Sequence, residues 1–311
     1  MALFKINKNK VERIKEKSID LERDLQKITE NNLEEIFGLK FVSSEMRLNN
    51  FRIDTLAFNP EQKSFVIIEY KKDRSFSVVD QGYSYLSLML NNKADFVLEY
   101  NEKTMSSLRR DDIDWNQSRV IFIANSFTVY QQNAINFKDL PFELWEAKKF
   151  EENLVSYNKI KTPESSETIN VIAKKNKNIE IVSREIKNYT VEGFFKKDWN
   201  KSLELFEKIR EQIKGLDANI EEKPVKNYIG YNINNWNVVV VRVRKNKLYL
   251  RFPRIEPKDI EDPKNKLKYE ENSLKFFNTN ISYLSIDSDK DIDYAMYITK
   301  QVYKKFRNDK L

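Results

Sequence analysis

Residues 51–72 read FRIDTLAFNPEQKSFVIIEYKK, and the way this stretch folds decides the reading of everything around it. FRIDTLAF and SFVIIEYK are rich in β-branched and aromatic residues, and the NPEQK between them carries the Asn and Pro of a turn. A β-hairpin follows. Side chains alternate along a strand, so Arg52, Asp54, Leu56 and Phe58 share one face of the first arm, and Phe65, Ile67, Glu69 and Lys71 share one face of the second. Each arm therefore ends an apolar face with ionisable groups. Fifteen residues separate Asp54 from Glu69, the length of one hairpin, which lays the two carboxylates side by side.

Working outward, LKFVSSEM from Leu39 predicts a third strand ahead of the hairpin. Before it, Val11, Ile14, Ile19, Leu21, Leu25, Ile28, Leu33 and Ile36 recur at helical spacing and stop at Gly38, which predicts one or two helices over residues 10–37. After the hairpin, SVVDQGYSYLSLML (residues 77–90) returns to a helical period. DFVLEY (95–100), RVIFIA (119–124) and FELWEA (142–147) predict strands, with a helix around Thr128–Phe137 between the last two. The order gives an α/β domain over residues 1–150, a mixed sheet flanked by helices. TPESSET and AKKNKN mark residues 151–186 as a linker or irregular excursion. Residues 187–311 then predict a smaller α+β domain: a helix over 200–214, strands YIGYNI, NVVVVRVR and KLYLRF, and a closing helix over about 289–307.

Composition narrows the chemistry. The chain has no His and no Cys, which excludes Ser-His-Asp triads, imidazole bases, thiol nucleophiles and zinc–thiolate sites together. With 5 Gly in 311 residues there is little material for Gly-rich phosphate loops. No stretch reaches the length and hydropathy of a membrane helix, and MALFKINKNK lacks a signal-peptide core, so a cytoplasmic protein without a membrane partner is expected. The net charge of +7 suits a polyanionic partner, although a Lys-rich composition explains it equally well.

Any hydrolysis by this chain must therefore run on carboxylates, lysine and a hard cation. Two carboxylates at hairpin distance repel unless a proton or a divalent cation sits between them, and Mg²⁺, with Mn²⁺ as a substitute, prefers such oxygen ligands. A Mg²⁺ ion held by Asp54 and Glu69 would activate water and neutralise charge at a phosphodiester, and Lys71 on the same face would orient or deprotonate the water or stabilise the developing charge.

Asp54 followed by a hydrophobic strand ending Glu69-Tyr70-Lys71 resembles the PD-(D/E)XK nuclease superfamily. The resemblance continues into its RecB-like branch, where a following helix carries Gln-xxx-Tyr; QGYSY supplies Gln81 and Tyr85 one turn apart. It also implies a Glu on the helix ahead of the sheet, which Glu22 in LERDLQ matches. From LERDLQ to DQGYSYL the chain looks like a bacterial and archaeal family often labelled predicted transport proteins, and it is similar to the nuclease domain of archaeal mismatch endonucleases. The last 110 or so residues look like the domain of unknown function that accompanies it. The Pro that names the motif is absent, with Ile53 in its place before Asp54.

The resemblance implies a Mg²⁺-dependent nuclease acting on DNA in preference to RNA, as an endonuclease rather than an exonuclease, in genome maintenance or phage defence. Asp54, Glu69 and the Tyr70 carbonyl would bind metal, with Glu22 completing the site through water. Gln81 would order the site, and Tyr85, Lys72 and Arg74 would touch substrate, although a basic loop such as 72–74 is more often simply hydrated. Cutting both strands would require a homodimer with two sites. The rival expectation is a catalytically silent module that keeps the fold and binds nucleic acid or protein. Arg242, Arg244, Lys247 and Arg251 alternate with apolar residues, which suits either a backbone-binding row or a solvent-facing strand. Trp199, Trp236 and Tyr231 read as core packing before base stacking, and Glu45 and Arg47 as structural.

Overall fold

The computed structural model describes residues 2–17, 22–71, 77–135, 140–161, 179, 181–182, 185–186, 189–233, 235–277 and 279–310. The chain divides into two compact units, Met1–Lys187 and Asn188–Leu311.

The first unit is built on a mixed sheet in the order β3-β8-β7-β6-β5-β4, where β3 is Glu16–Lys17, β4 Lys40–Leu48, β5 Phe51–Asn59, β6 Ser64–Lys71, β7 Arg119–Ala124 and β8 Phe142–Phe150. The strands β4, β5 and β6 are antiparallel, whereas β6, β7 and β8 run parallel. Strands β6 and β7 are buried almost end to end, as expected for central strands with both faces covered. On one face Leu56, Phe58, Phe65, Ile67 and Phe122 pack beneath α3 (Val78–Asn91) and α4 (Lys93–Thr104). On the other, Ala57, Val66, Ile68, Tyr70, Ile121 and Ile123 pack beneath α1 (Glu22–Asn31) and α2 (Leu33–Phe37). Gly38 closes α2 with φ 65°, the left-handed conformation for which glycine carries no steric penalty.

Three stretches depart from the sequence reading. Residues 3–14 form an antiparallel ribbon, β1 (Leu3–Asn7) paired with β2 (Lys10–Ile14), so Val11 and Ile14 belong to a strand; Ile19 and Leu21 lie outside the described residues. The helical period is real only from α1 onward. DFVLEY lies in α4, because the buried pair is Phe96 and Tyr100, four apart as on a helix face, while Leu98 is 56% exposed. Val155–Lys159, expected in a linker, is a strand, β9, paired with β8, and Ile179 and Val182 are buried against the α3 side of the sheet. A short α5 (Val129–Ala134) falls where a helix was expected, opened by the Thr128 cap.

The second unit is a six-stranded antiparallel sheet, β10 (Glu221–Val225), β11 (Tyr228–Ile233), β12 (Trp236–Arg244), β13 (Lys247–Pro253), β15 (Ile281–Ile286) and β14 (Lys268–Tyr269) in that spatial order. Helix α6 (Asn200–Lys214) and the C-terminal α8 (Ile292–Lys310) share a core with its Val239, Val241, Leu248, Leu250 and Leu284, and a short α7 spans Ser273–Phe277. Tyr231 and Trp236 are buried in that core and Trp199 packs at its edge, so these aromatics serve packing.

Candidate active site

The β5–β6 ladder runs from Asn59/Ser64 to Thr55/Ile68. One step further would set Asp54 opposite Glu69, and there the backbone pairing gives way: the Tyr70 N–H donates to the Asp54 carboxylate (Oδ2, 3.1 Å). An extended residue points its N–H and C=O to the same side, so the Tyr70 carbonyl is turned toward Asp54 as well. The Tyr70 ring belongs to the opposite face, in the core beneath α1 and α2. Asp54, Glu69 and Lys71 lie on the two arms of one hairpin, at alternating positions with Leu56, Phe58, Phe65 and Ile67 of the α3 side.

Glu69 is 4% exposed, and its two oxygens are treated unequally. Oε1 accepts from Lys71 Nζ at 2.8 Å and from Gln81 Nε2 at 2.9 Å. Oε2 is buried with no hydrogen-bond partner among the described residues. Gln81 arrives from the first turn of α3, whose Ser77 cap accepts from the Asp80 N–H at 3.3 Å. The helix can approach the sheet because Gly82 has no side chain: a Cβ there would lie 2.6 Å from the Phe142 ring. One turn later the Tyr85 hydroxyl accepts from Gln81 Nε2 at 3.3 Å and donates to the Arg52 carbonyl at 3.1 Å, linking the helix to the strand that carries Asp54.

The electrostatics follow from this geometry. Burial, then the neighbouring Glu69 charge, pushes the Asp54 carboxyl up to about 7, against the pull of the Tyr70 N–H and Lys71. Burial, with Glu69 close by, also raises the Tyr85 phenol. Two carboxylates thus face each other with one oxygen unmatched, an arrangement completed by a proton or a cation. Among the described residues no group of three or more acidic side chains gathers to hold a metal. Asp54, the unmatched Glu69 oxygen and the Tyr70 carbonyl are hard oxygens of the kind Mg²⁺ takes alongside retained water, and could serve as its ligands.

Glu22 is the first residue of α1, one turn ahead of Gln26; its side chain, like Lys72 and Arg74 as a whole, lies outside the described residues. What the sequence did not reveal is the support behind the site. Gln26 donates to the Asp54 carbonyl at 3.0 Å and to Glu30 at 3.0 Å, and the Thr55 hydroxyl donates to Glu30 at 2.5 Å, so α1 grips the strand on either side of the Asp54 side chain. The signal was present as Gln26 and Glu30 four apart on one helix, but such pairs are common on solvated faces. Glu45 and Arg52 form an exposed ion pair at 3.0 Å beside it.

In the second unit Arg242, Arg244, Lys247 and Arg251 fall on the sheet face opposite the helix-packed residues, with Arg242 across from Tyr249 and Arg244 across from Lys247. Arg251 is buried and paired with Glu270. Burial and the nearby Arg251 charge lower the Arg242 guanidinium. Among the described residues no helix is long and apolar enough to cross a membrane.

The fold and this hairpin define an α/β protein with a half-buried carboxylate–lysine cluster at the open end of a mixed sheet. The chain belongs to the same family as an uncharacterized protein of Haemophilus influenzae, to which it is 38% identical over 306 residues, covering 98% of this chain and 100% of the relative. Residues 191–304 match a domain of unknown function, DUF5655. Among solved structures the chain is similar to EndoMS in a complex with double-stranded DNA (19% identity, TM-score 0.29, 44% of this chain and 50% of that one). It is also similar to a repair endonuclease from Pyrococcus abyssi (16%, 0.24, 42% and 50%) and to Pyrococcus furiosus SfsA in complex with Ca²⁺ (14%, 0.25, 45% and 63%). The chain spans about half the length of the first two of these structures.

Proposed function

We propose that the first unit is a divalent-metal-dependent nuclease of the PD-(D/E)XK type that hydrolyses phosphodiester bonds of DNA. The observation that carries this reading is the unmatched, buried Glu69 oxygen beside an Asp54 carboxyl pushed up to about 7, with Lys71 on the other Glu69 oxygen. Most buried side-chain polar atoms have a hydrogen-bond partner, so an orphaned carboxylate oxygen beside a second carboxyl calls for a proton or a cation to complete it. A bound Mg²⁺ supplies Lewis-acid polarisation of the phosphate and a water of lowered pKa.

The chain's own residues divide the remaining tasks. Asp54, Glu69 and the Tyr70 carbonyl would hold the cation, and Glu22 would contribute through water. Lys71, anchored by Glu69, sits where it can orient the attacking water or stabilise charge on the phosphoryl oxygens. Gln81 donates to the same Glu69 oxygen from α3 and fixes its rotamer, and Tyr85 ties α3 to β5, so the two carboxylates keep their spacing as substrate enters. The reading is tested by incubating labelled single- and double-stranded DNA and RNA with Mg²⁺, Mn²⁺ or EDTA, using wild type, Asp54→Ala and Lys71→Ala. Metal-dependent cutting lost in both variants is expected. If no substrate is cut while binding is unaffected by the substitutions, the site is silent and the fold serves binding alone.

A further inference from the structure

The ribbon β1–β2 stands apart from the packing that holds the rest of the first unit. Its base is fixed: β3 pairs with β8, the Glu151 N–H donates to the Lys15 carbonyl at 2.9 Å, and Lys5 pairs with Glu152 at 2.9 Å. Beyond that base no described residue packs over its exposed face. Phe4, Ile6 and Val11 are 53%, 76% and 67% exposed, and the register (Phe4 to Arg13, Ile6 to Val11) puts all three with Arg13 on one face. A lone two-stranded ribbon is marginal in water and needs something to lie against.

Its charge says what. From Leu3 to Lys17 there are six basic residues (Lys5, Lys8, Lys10, Arg13, Lys15, Lys17) and two acidic ones (Glu12, Glu16). Glu16 is taken by Lys148, and Glu12 lies across from Lys5 on the face away from Ile6. Lys8, at φ 56° in the turn, and Lys10 make the tip basic. A second copy of this chain would bring like charge against like. A polyanion with an apolar groove floor would match both the rim of cations and the strip of aliphatic side chains.

We infer that this ribbon is an arm that enters the groove of B-form duplex DNA, with Lys8, Lys10 and Arg13 on the phosphates and Ile6 and Val11 against base edges or sugars. The major groove of B-DNA, about 12 Å wide, admits a two-stranded ribbon, and thymine methyls offer apolar contact there. The deep, narrow groove of A-form RNA does not admit it. The inference rests on the nuclease reading of the first unit and adds to it the duplex form of the DNA and the element that grips it.

The test measures binding of the full chain to labelled duplex DNA, single-stranded DNA and duplex RNA by fluorescence anisotropy, in EDTA and in Ca²⁺ across a salt series. It compares wild type with Lys8→Glu/Lys10→Glu and with Ile6→Ser/Val11→Ser. These side chains are exposed, so melting temperature and molar mass by light scattering should match wild type. The charge pair should weaken duplex DNA binding about ten-fold or more and lower the salt slope by about 2, as expected when two cations no longer neutralise phosphates. The apolar pair should weaken duplex DNA binding several-fold with the slope unchanged, and leave single strands and RNA nearly unaffected. Unchanged duplex binding by both variants, equal losses on all three nucleic acids, or a change of molar mass in place of affinity would each overturn the inference, the last pointing to a second copy as the occupant. If wild type binds no nucleic acid, the nuclease reading fails with it; if wild type binds or cuts and only the ribbon variants are indifferent, the ribbon alone is wrong.

Discussion

Both units hold acidic side chains largely out of water, and they treat them in opposite ways. In the second unit Glu222 accepts from Arg210 Nε at 2.8 Å, from Arg210 Nη2 at 2.7 Å and from the Tyr231 hydroxyl at 2.9 Å, so both oxygens are satisfied by a guanidinium fork and a phenol. In the first unit Glu69 has two donors on one oxygen and, among the described residues, none on the other, and burial with the Glu69 charge pushes its neighbour Asp54 up to about 7. The first arrangement costs little to keep and does nothing further. The second is costly in the bare protein, and a fold keeps such a pair where a ligand or a reaction resolves it. Buried charge by itself says nothing of function; whether its partners are already present does.

The widest separation between the two should come in turnover. Glu69→Gln or Lys71→Ala should lower the single-turnover cleavage rate by about 100-fold or more, the scale of losing a metal ligand or a charge-stabilising group. Arg210→Met in the second unit should leave that rate within about two-fold. If Arg210→Met also abolished cleavage, the assignment of the chemistry to the first unit would be broken.

Stability should move the other way. Arg210→Met strands the Glu222 carboxylate with only Tyr231, and an uncompensated, mostly buried charge costs about 2–3 kcal/mol, below the range for a fully buried pair because Arg210 is part exposed. Denaturant unfolding of the full chain measures it, and a loss under about 0.5 kcal/mol would mean that the pair relaxes into water.

Asp54→Asn should instead stabilise the metal-free protein. The folded carboxyl is raised from 3.8 to about 7, so between those pH values the native state binds the extra proton. Stability contributed by that proton is therefore present in full below about pH 4 and is lost as pH rises toward 7. The variant, which has no charge to bury, should match wild type near pH 4 and exceed it by about 1–2 kcal/mol at pH 8 in EDTA; the full shift would give more, but partial access to water reduces it. Mg²⁺ should then raise the wild-type melting temperature and leave the variant unmoved. A variant less stable than wild type at pH 8 would show the pair to be structural, like Glu222.

The hairpin and its acidic face were legible because strand period and hairpin length together fix where Asp54 and Glu69 fall, whereas Gln81 and Tyr85 were picked out by the resemblance to the RecB-like Gln-xxx-Tyr helix, with helical period adding only that they share a face. The ribbon over 3–14 was not: Val11 and Ile14 also fit the period of the helix downstream, and nothing local separates a three-residue spacing from a strand. Phe96 and Tyr100 fit either period until Leu98 is seen to face water. The support from Gln26 and Glu30 depends on α1 crossing behind β5, a long-range packing that no spacing in the chain encodes.

The smallest effect is the one that sharpens the comparison most. Gln81 and Lys71 donate to the same Glu69 oxygen at nearly equal distances, yet only Lys71 carries charge toward the reacting phosphate in the proposed site. Removing Gln81 leaves Glu69 Oε1 with Lys71 still bound, so Gln81→Ala should cost one neutral-to-charged hydrogen bond's worth of positioning, about a ten-fold drop in cleavage rate. Tyr85→Phe, which loses the tie to the Arg52 carbonyl and the long contact from Gln81, should cost less, about two- to three-fold. Metal affinity read by thermal shift separates the roles: Gln81→Ala should need more Mg²⁺ for half-maximal stabilisation because the Glu69 rotamer is freer, whereas Lys71→Ala should need less, since a competing cation has gone. If Gln81→Ala were as damaging as Lys71→Ala with metal affinity unchanged, Gln81 would have to touch the substrate directly, and the division between holding and reacting groups would move by one residue.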